Sequence, residues 1–193
     1  MTEAAAPRGS SPLQRGVLRR RLGRRRALAG AAVLLLLAAV LGRTFVVPPS
    51  DAPRPTDLVA VLGGVDSPSR TERAREVLAE HPGAVLLVVV GQLRYCPDRP
   101  PGASELLCVL PPDPSTTQGE ARMVADIATE RGMTSVTVVT TADQVVRARL
   151  RFSRCWPGEL VMVQAPTSTW RVLRQVPYQS AAMVKALVLE PGC

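Results

Sequence analysis

Glycines, hydroxyl side chains and arginines recur in this 193-residue sequence where an anion-binding site would need them. Gly63 and Gly64 end one apolar run, residues 115–122 (STTQGEAR) open a helical pattern, and Arg147 lies one turn into another. Glycine turns, helix N-termini, hydroxyls and guanidinium groups supply the donors that bind phosphate in proteins. We therefore predict a crevice for an anionic, phosphate-bearing ligand. Its candidate ligand-binding residues are Gly63, Gly64, Arg70, Gly91, Ser115, Thr116, Thr117, Thr141, Gln144 and Arg147.

Each part of this set also has a purely structural interpretation. Gly63 and Gly64 could form a tight turn, because neither GxGxxG nor GxxxxGK[ST] is present. Ser115 or Thr116 could serve as a helix N-cap, and Arg147 could be a solvated surface residue. The joint arrangement favours the crevice, over which Arg70 would close; caps and turns remain the alternative.

Catalysis would have to rely on a carboxylate. Glu120 is the candidate base, with Asp143 as the other possibility, and neither has an obvious partner. The only histidine, His81, falls in a predicted helix-to-strand connection, so no Ser–His–Asp set can be assembled. The absence of a CxxC spacing argues against a zinc site, and we predict neither a metal nor a cofactor.

The elements that must position these residues alternate between strand and helix. Apolar runs predict strands at 57–64, 84–91, 135–141 and 160–165, and amphipathic patterns predict helices at 69–81, 117–131, 144–152 and 179–189. The proline-rich, cysteine-containing stretch after Gly91 is predicted to be an irregular loop. Strands that are apolar on both faces indicate a mainly parallel sheet of four to five strands in a three-layer α/β/α Rossmann-like sandwich. Such a sheet places its ligand crevice at the carboxyl ends of the strands.

The N-terminal region predicts where this domain works. Seven arginines lie within 15–26, and Arg43 is the only charge in 27–47, a stretch of about 31 Å as a helix. We predict a basic cytoplasmic tail (1–26) on anionic lipid headgroups, a transmembrane signal-anchor helix (27–47), a proline-rich linker (48–56) and an extracytoplasmic domain (57–193). The protein would be a single-pass protein of the plasma (inner) membrane. A cleaved or twin-arginine export signal and a soluble core helix are the alternatives.

Charge distribution argues against a nucleic-acid partner. The net charge is +8, but eight of the 24 basic residues lie in 1–26 and Arg43 is a ninth, which leaves 15 basic against 15 acidic residues from Pro48 onward. A protein that binds nucleic acid needs its cations on the folded domain. The positive charge of this chain belongs to the predicted anchor.

The four cysteines fit an oxidising compartment. Three pairings are possible; we favour Cys96–Cys108, which closes a short loop, with Cys155–Cys193, which pins the C-terminal residue.

Residues 57–190 resemble the SanA/YdcF/ElyC group of bacterial envelope proteins. The resemblance is carried by DLVAVLGG at 57–64, STTQGEAR at 115–122, VVTTADQVVRARL at 138–150, and Tyr178 with Lys185-Ala-Leu. It implies a Rossmann-like domain outside the membrane and a role in envelope integrity, through a lipid carrier or a peptidoglycan precursor.

One departure from the family bears on chemistry. Many members carry histidine at the position of Gln144, and glutamine cannot exchange a proton near neutral pH. Gln144 could still hydrogen-bond a ligand, so the departure favours binding over catalysis. An envelope transferase or phosphohydrolase that uses Glu120, and a non-catalytic scaffold, are the alternatives.

Overall fold

The computed structural model describes residues 12–64 and 67–193, with side chains from Gly23 to Gly64 and from Pro68 onward. The chain divides into two compact units, Met1–Val40 and Leu41–Cys193. The helices are α1 (Pro12–Leu41), α2 (Ser67–Glu80), α3 (Thr117–Glu130), α4 (Ala142–Cys155) and α5 (Thr169–Val184). The strands are β1 (Leu58–Val61), β2 (Val85–Val89), β3 (Glu105–Val109), β4 (Ser135–Thr141) and β5 (Glu159–Ala165). Short helical turns lie at Gly42–Val46, Leu93–Tyr95 and Lys185–Leu189.

The N-terminal unit holds the apolar stretch that the sequence predicts as a membrane span. Every described side chain from Gly23 to Leu41 is exposed, although this stretch is rich in leucine and valine. Within the described residues, Gly23–Val46 is the one helical stretch long and apolar enough to cross a membrane. It contains all but the last residue of the span predicted at 27–47. The first eleven residues of the predicted tail lie outside the described residues.

The α/β unit is built on a parallel sheet, which confirms the predicted fold class. In the described chain its five strands lie in the order β3-β2-β1-β4-β5, and every neighbouring pair is parallel. The central strand β1 pairs with both β2 and β4, so that Ala60 lies opposite Leu87 on one side and Val138 on the other. All four residues of β1 are buried, as expected of a strand that is apolar on both faces.

Helices cover both faces of this sheet and make the three layers. On one face, Leu58 and Val138 pack with Phe152 of α4 and with alanines of α3. On the other face, Val59 and Val61 pack with Val77 of α2. Alternate residues of one strand therefore enter two separate cores, because successive side chains of a strand point to opposite faces.

The stretch after Gly91 differs from the predicted irregular loop, because it contains the edge strand β3. Glu105–Val109 pairs in parallel with Val85–Val89. This short apolar run lies between prolines at 100–101 and at 111–112. Because prolines are typical of loops, the sequence predicts the whole stretch to be irregular. Pairing with β2, a contact that is remote in the sequence, makes it a strand.

The last helix starts ten residues earlier than predicted. Its N-cap is Ser168, whose hydroxyl accepts a hydrogen bond from the Arg171 amide at 3.3 Å. A proline in the interior of a helix normally interrupts it. Here Pro177 lies inside α5 on an exposed face.

Residues 42–56 belong to the α/β unit, so the predicted linker at 48–56 is not a free spacer. Phe45 is buried, and the turn Gly42–Val46 packs against α4 and α5. Asp51 then binds the outer edge of β5: its amide donates to the Met162 carbonyl and its carboxylate accepts from the Met162 amide, both at 2.8 Å. Arg149 pairs with the same carboxylate at 3.0 Å. Asp51 thus covers an otherwise open strand edge.

Both predicted disulfides are present. Cys96–Cys108 joins the loop after β2 to β3, and Cys155–Cys193 joins the end of α4 to the C-terminal residue. The second bridge holds the chain that follows α5 against the body of the domain.

Candidate functional site

A polar cavity lies where the order of the strands reverses. The chain passes from β1 to β2 and β3 on one side and then returns to β4 and β5 on the other, so the connections after β1 and β4 diverge onto opposite faces. Ligands of open α/β sheets bind in the crevice that this divergence leaves. The cavity has a volume of about 310 Å³. It is lined by Gly63, Gly64, Pro111, Ser115, Thr116, Thr117, Gln118, Glu120, Gln144, Arg147, Arg151, Tyr178, Ala182, Lys185 and Glu190.

The N-terminus of α3 forms one wall. Thr116 is its N-cap, because its hydroxyl accepts a hydrogen bond from the Gly119 amide at 3.1 Å. The cap leaves the first-turn amides of Thr117 and Gln118 without an acceptor inside the helix. The structural interpretation of Thr116 is therefore correct, and the two residues that follow the cap, Thr117 and Gln118, also line the cavity.

Glu120 connects this helix to the glycine turn after β1. Its Oε1 accepts a hydrogen bond from the Gly63 amide at 2.8 Å. Burial raises the pKa of Glu120, while the Gly63 amide and the charges of Arg70 and Arg147 act in the opposite direction. The Gly63 amide, which we predicted as a ligand donor, is already used by Glu120.

Arg147 is held in the cavity by polar side chains. Its Nη1 donates to the Thr117 hydroxyl at 2.7 Å, and its Nε donates to Gln179 Oε1 at 3.1 Å. Gln179 is buried and in turn donates to Asp143 Oδ2 at 2.9 Å. Burial lowers the pKa of Arg147, and Tyr178 and the carboxylates of Asp143 and Glu120 counter that effect. An arginine keeps its charge at neutral pH under such conditions.

The far wall contains two cations that share one carboxylate. Arg151 donates to Glu190 Oε2 at 2.5 Å and to the Glu190 carbonyl at 2.6 Å, and Lys185 lies 2.9 Å from Glu190 Oε1. These contacts hold the pKa of Glu190 below its usual value. The hydrogen bond from Lys185 makes the largest contribution to this lowering. Among the described lining residues, Arg147 is thus the one cation without a carboxylate within ion-pair distance.

Arg70 does not close over the cavity as predicted. Its side chain is 1% exposed. Its Nη1 donates to the carbonyls of Leu62 and Gly63, and its Nη2 donates to the Thr141 hydroxyl at 3.2 Å. Burial lowers the pKa of Arg70. Arg70 and the fully buried Thr141 therefore join the ends of β1 and β4 from inside the domain.

The remaining predicted residues are divided between the cavity and the surface. Ser115 and Gln144 line the cavity, and Gln144 Oε1 lies 3.5 Å from the Thr140 hydroxyl. Gly91 is exposed after β2 and lines a different depression. His81 follows the C-terminus of α2 on the way into β2, at the amino-end edge of the sheet, opposite the cavity.

Sequence reasoning missed the residues that the last helix and the chain after it contribute. Gln179 is named only as the start of a helix, and Lys185 and Glu190 are not predicted as site residues. No local pattern could reveal them, because Gln179 is 32 residues from Arg147 and Glu190 is 39 residues from Arg151. Among residues 12–64 and 67–193, no group of three metal-ligating side chains lies together.

Fold and cavity define a class of protein: a doubly wound α/β domain with a polar crevice at its switch point and an apolar helix near its N-terminus. Comparisons with protein-family models, with characterised proteins and with solved structures gave no match. The resemblance to the SanA/YdcF/ElyC group therefore remains a prediction from the sequence.

Proposed function

We propose that this protein is a membrane-anchored envelope protein whose α/β domain binds a phosphate-bearing ligand in the cavity. One observation carries the proposal: the capped N-terminus of α3, the Gly64 turn and the guanidinium of Arg147 converge on one cavity. Helix N-termini and arginines bind phosphate by the same physics, since both present N–H donors and positive charge.

Charges around the cavity support a ligand anion at Arg147. Arg151 and Lys185 of the far wall both pair with Glu190, whereas Arg147 is held only by neutral acceptors, the Thr117 hydroxyl and Gln179. A phosphate beside Arg147 would also lie near the first-turn amides of α3. Glu120 opposes such a ligand unless it is protonated, and its raised pKa favours the protonated form.

Size limits what the cavity can hold. A volume of about 310 Å³ lies at the lower end of the range of about 300–1,000 Å³ for small-molecule sites. It suits a phosphorylated headgroup rather than a long prenyl chain. We therefore favour the phosphate end of a lipid carrier or of a peptidoglycan precursor, whose chain would stay in the bilayer.

The anchor supports an envelope location. An exposed, leucine-rich helix of this length has the properties of a spanning helix. The arginines at 15–26 would keep its N-terminus in the cytoplasm, and the two disulfides suit a domain in an oxidising compartment.

Calorimetric titration of the detergent-solubilised full chain with a short-chain prenyl phosphate tests the site. Arg147→Ala should weaken binding about 10- to 100-fold, because a hydrogen bond to a charged group contributes about 1.5–3 kcal/mol. Arg149→Ala is the matched control, since Arg149 lies on the same helix but pairs with Asp51 outside the cavity. Equal affinities in the wild type and in Arg147→Ala would overturn the assignment.

An envelope transferase or phosphohydrolase is the second candidate, favoured by the position of Glu120. A half-buried carboxylate with a raised pKa in a cavity is suited to proton transfer. Glu120→Gln should then abolish turnover of a prenyl diphosphate while binding persists. Full activity of Glu120→Gln in a phosphate-release assay would remove this candidate.

A further inference from the structure

Helix α5 carries an exposed apolar stripe on the side away from its buried residues. Its core-facing residues Val172 and Gln179 are buried, and so is Ala186 in the turn that follows. The opposite side presents apolar side chains three and four residues apart, and Trp170 is 70% exposed. The stripe consists of Trp170, Leu173, Pro177, Ala181, Val184 and Val188.

The charged residues of α5 and of the turn that follows it are all basic. Residues 169–189 contain Arg171, Arg174 and Lys185 and no acidic residue. A helix with an apolar face, a tryptophan at one end and only basic charges has the composition of a helix that lies in the interface of an anionic membrane. A helix that packs only on the core requires one apolar face, so packing does not explain the apolar residues on the opposite face.

Helix α5 also contacts the segment in which the proposed membrane span ends. The apolar stretch ends with the turn Gly42–Val46, and this turn packs against α5 while Phe45 is buried. If the stretch spans the bilayer, α5 touches the residues at which the chain leaves it. This part of the argument rests on the anchoring stated under the proposed function.

We propose that the stripe of α5 docks on the surface of an anionic bilayer, with its apolar side chains below the headgroups. The same helix contributes Tyr178 and Ala182 to the cavity, and the turn that follows it contributes Lys185. Docking therefore places the cavity beside the headgroup layer, where the phosphate of a lipid-linked ligand lies. An interfacial helix of this kind inserts by about 5–10 Å.

Tryptophan fluorescence tests this directly, because the chain has two tryptophans with different surroundings. Trp170 lies on the stripe, and Trp156 is buried in the core. The full chain carrying Trp156→Phe is reconstituted in vesicles of phosphatidylglycerol and phosphatidylcholine. We expect lipids brominated near the headgroup to remove most of the Trp170 emission, and lipids brominated at the chain end to remove less.

Matched variants separate docking from anchoring. Leu173→Gln combined with Val184→Gln should restore the Trp170 emission, whereas Trp170→Phe leaves a Trp156 signal that brominated lipids do not quench. Trp170 that responds only to aqueous acrylamide, in protein that still floats with the vesicles, would overturn the docking and leave the anchor intact. Protection of Trp170 from both quenchers would overturn it as well, because a second copy or another protein would then cover the stripe. Protein that fails to float would contradict the proposed anchoring itself.

Discussion

The carboxylate of Glu120 accepts a hydrogen bond from the backbone amide of Gly63 at 2.8 Å, although the two residues are 57 positions apart. This bond ties the first turn of α3 to the end of β1, and it places a half-buried acid in the proposed anion site. An anion and the ionised carboxylate would repel each other there. Protonation of Glu120 therefore governs how the cavity receives an anion.

The affinity for an anion should depend on pH through Glu120. Bound phosphate favours protonated Glu120, so affinity should fall as pH rises from the ordinary value of 4.5 through the raised pKa of this group. In Glu120→Gln the decline should be smaller. Titrating both proteins with the same prenyl phosphate at each pH cancels the ionisation of the ligand. Identical pH profiles would show that Glu120 does not face the anion.

Glu120→Gln should also alter the free energy of unfolding, in a direction set by the raised pKa of Glu120. The folded state holds the Glu120 proton more tightly than the unfolded state, so the stability that this group contributes is fully present below about pH 4.5 and is lost as pH rises through the raised pKa. Glutamine cannot ionise, so the variant avoids the cost of a charged side chain at this position, and its side-chain oxygen can still accept the hydrogen bond from the Gly63 amide. Urea unfolding at acidic and neutral pH should show a gain for the variant only at the higher pH. A loss at neutral pH would contradict the raised pKa.

Two glycines of the predicted site should respond differently to alanine. Gly64 has a φ of +120°, which a residue with a Cβ rarely adopts, whereas a Cβ on Gly91 would meet open space. Gly64→Ala should cost about 1–3 kcal/mol of unfolding free energy and Gly91→Ala should cost little. Chemical denaturation measures both. A comparable loss in the two variants would be at odds with the backbone described for Gly64.

Removing Cys155–Cys193 should affect binding as well as stability. By loop length, replacing both cysteines with serine should cost about 4 kcal/mol for this bridge and about 3 kcal/mol for Cys96–Cys108. The Cys155–Cys193 bridge also holds the chain near Glu190, whose carboxylate lines the cavity. Calorimetry below the melting temperature of each variant should show weaker phosphate binding only after loss of this bridge. Normal affinity without it would exclude a role for the C-terminal residues in the site.

Asp51 should anchor the segment that follows the apolar helix. Asp51→Ala removes the acceptor for the Met162 amide and for Arg149, so we expect a loss of about 1–3 kcal/mol and faster proteolysis within 48–56. The exposed Asp98 provides the control variant, Asp98→Ala. Unchanged cleavage in Asp51→Ala would mean that this segment is held by other contacts.

Local patterns were sufficient for most of the fold. Strand β1 is apolar at every position, and such a run must be buried on both faces, which predicts a parallel sheet without reference to any contact. The errors arose where a distant contact outweighed a local signal. Glu105–Val109 became a strand through β2, and α5 continued through Pro177 while it packed on α4.

The sequence by itself determined the alternation of strands and helices, the apolar N-terminal stretch and the edge of the sheet at which the polar residues collect. These follow from the periodicity of apolar side chains and from the direction of parallel strands, which are local properties. Only the tertiary structure decided the roles of individual side chains. Arg70 turned inward to the ends of β1 and β4, Glu120 took the Gly63 amide, and Gln179 came to hold Arg147. Side-chain partners depend on how separate elements pack against each other, and the spacing of residues along the chain does not determine that packing.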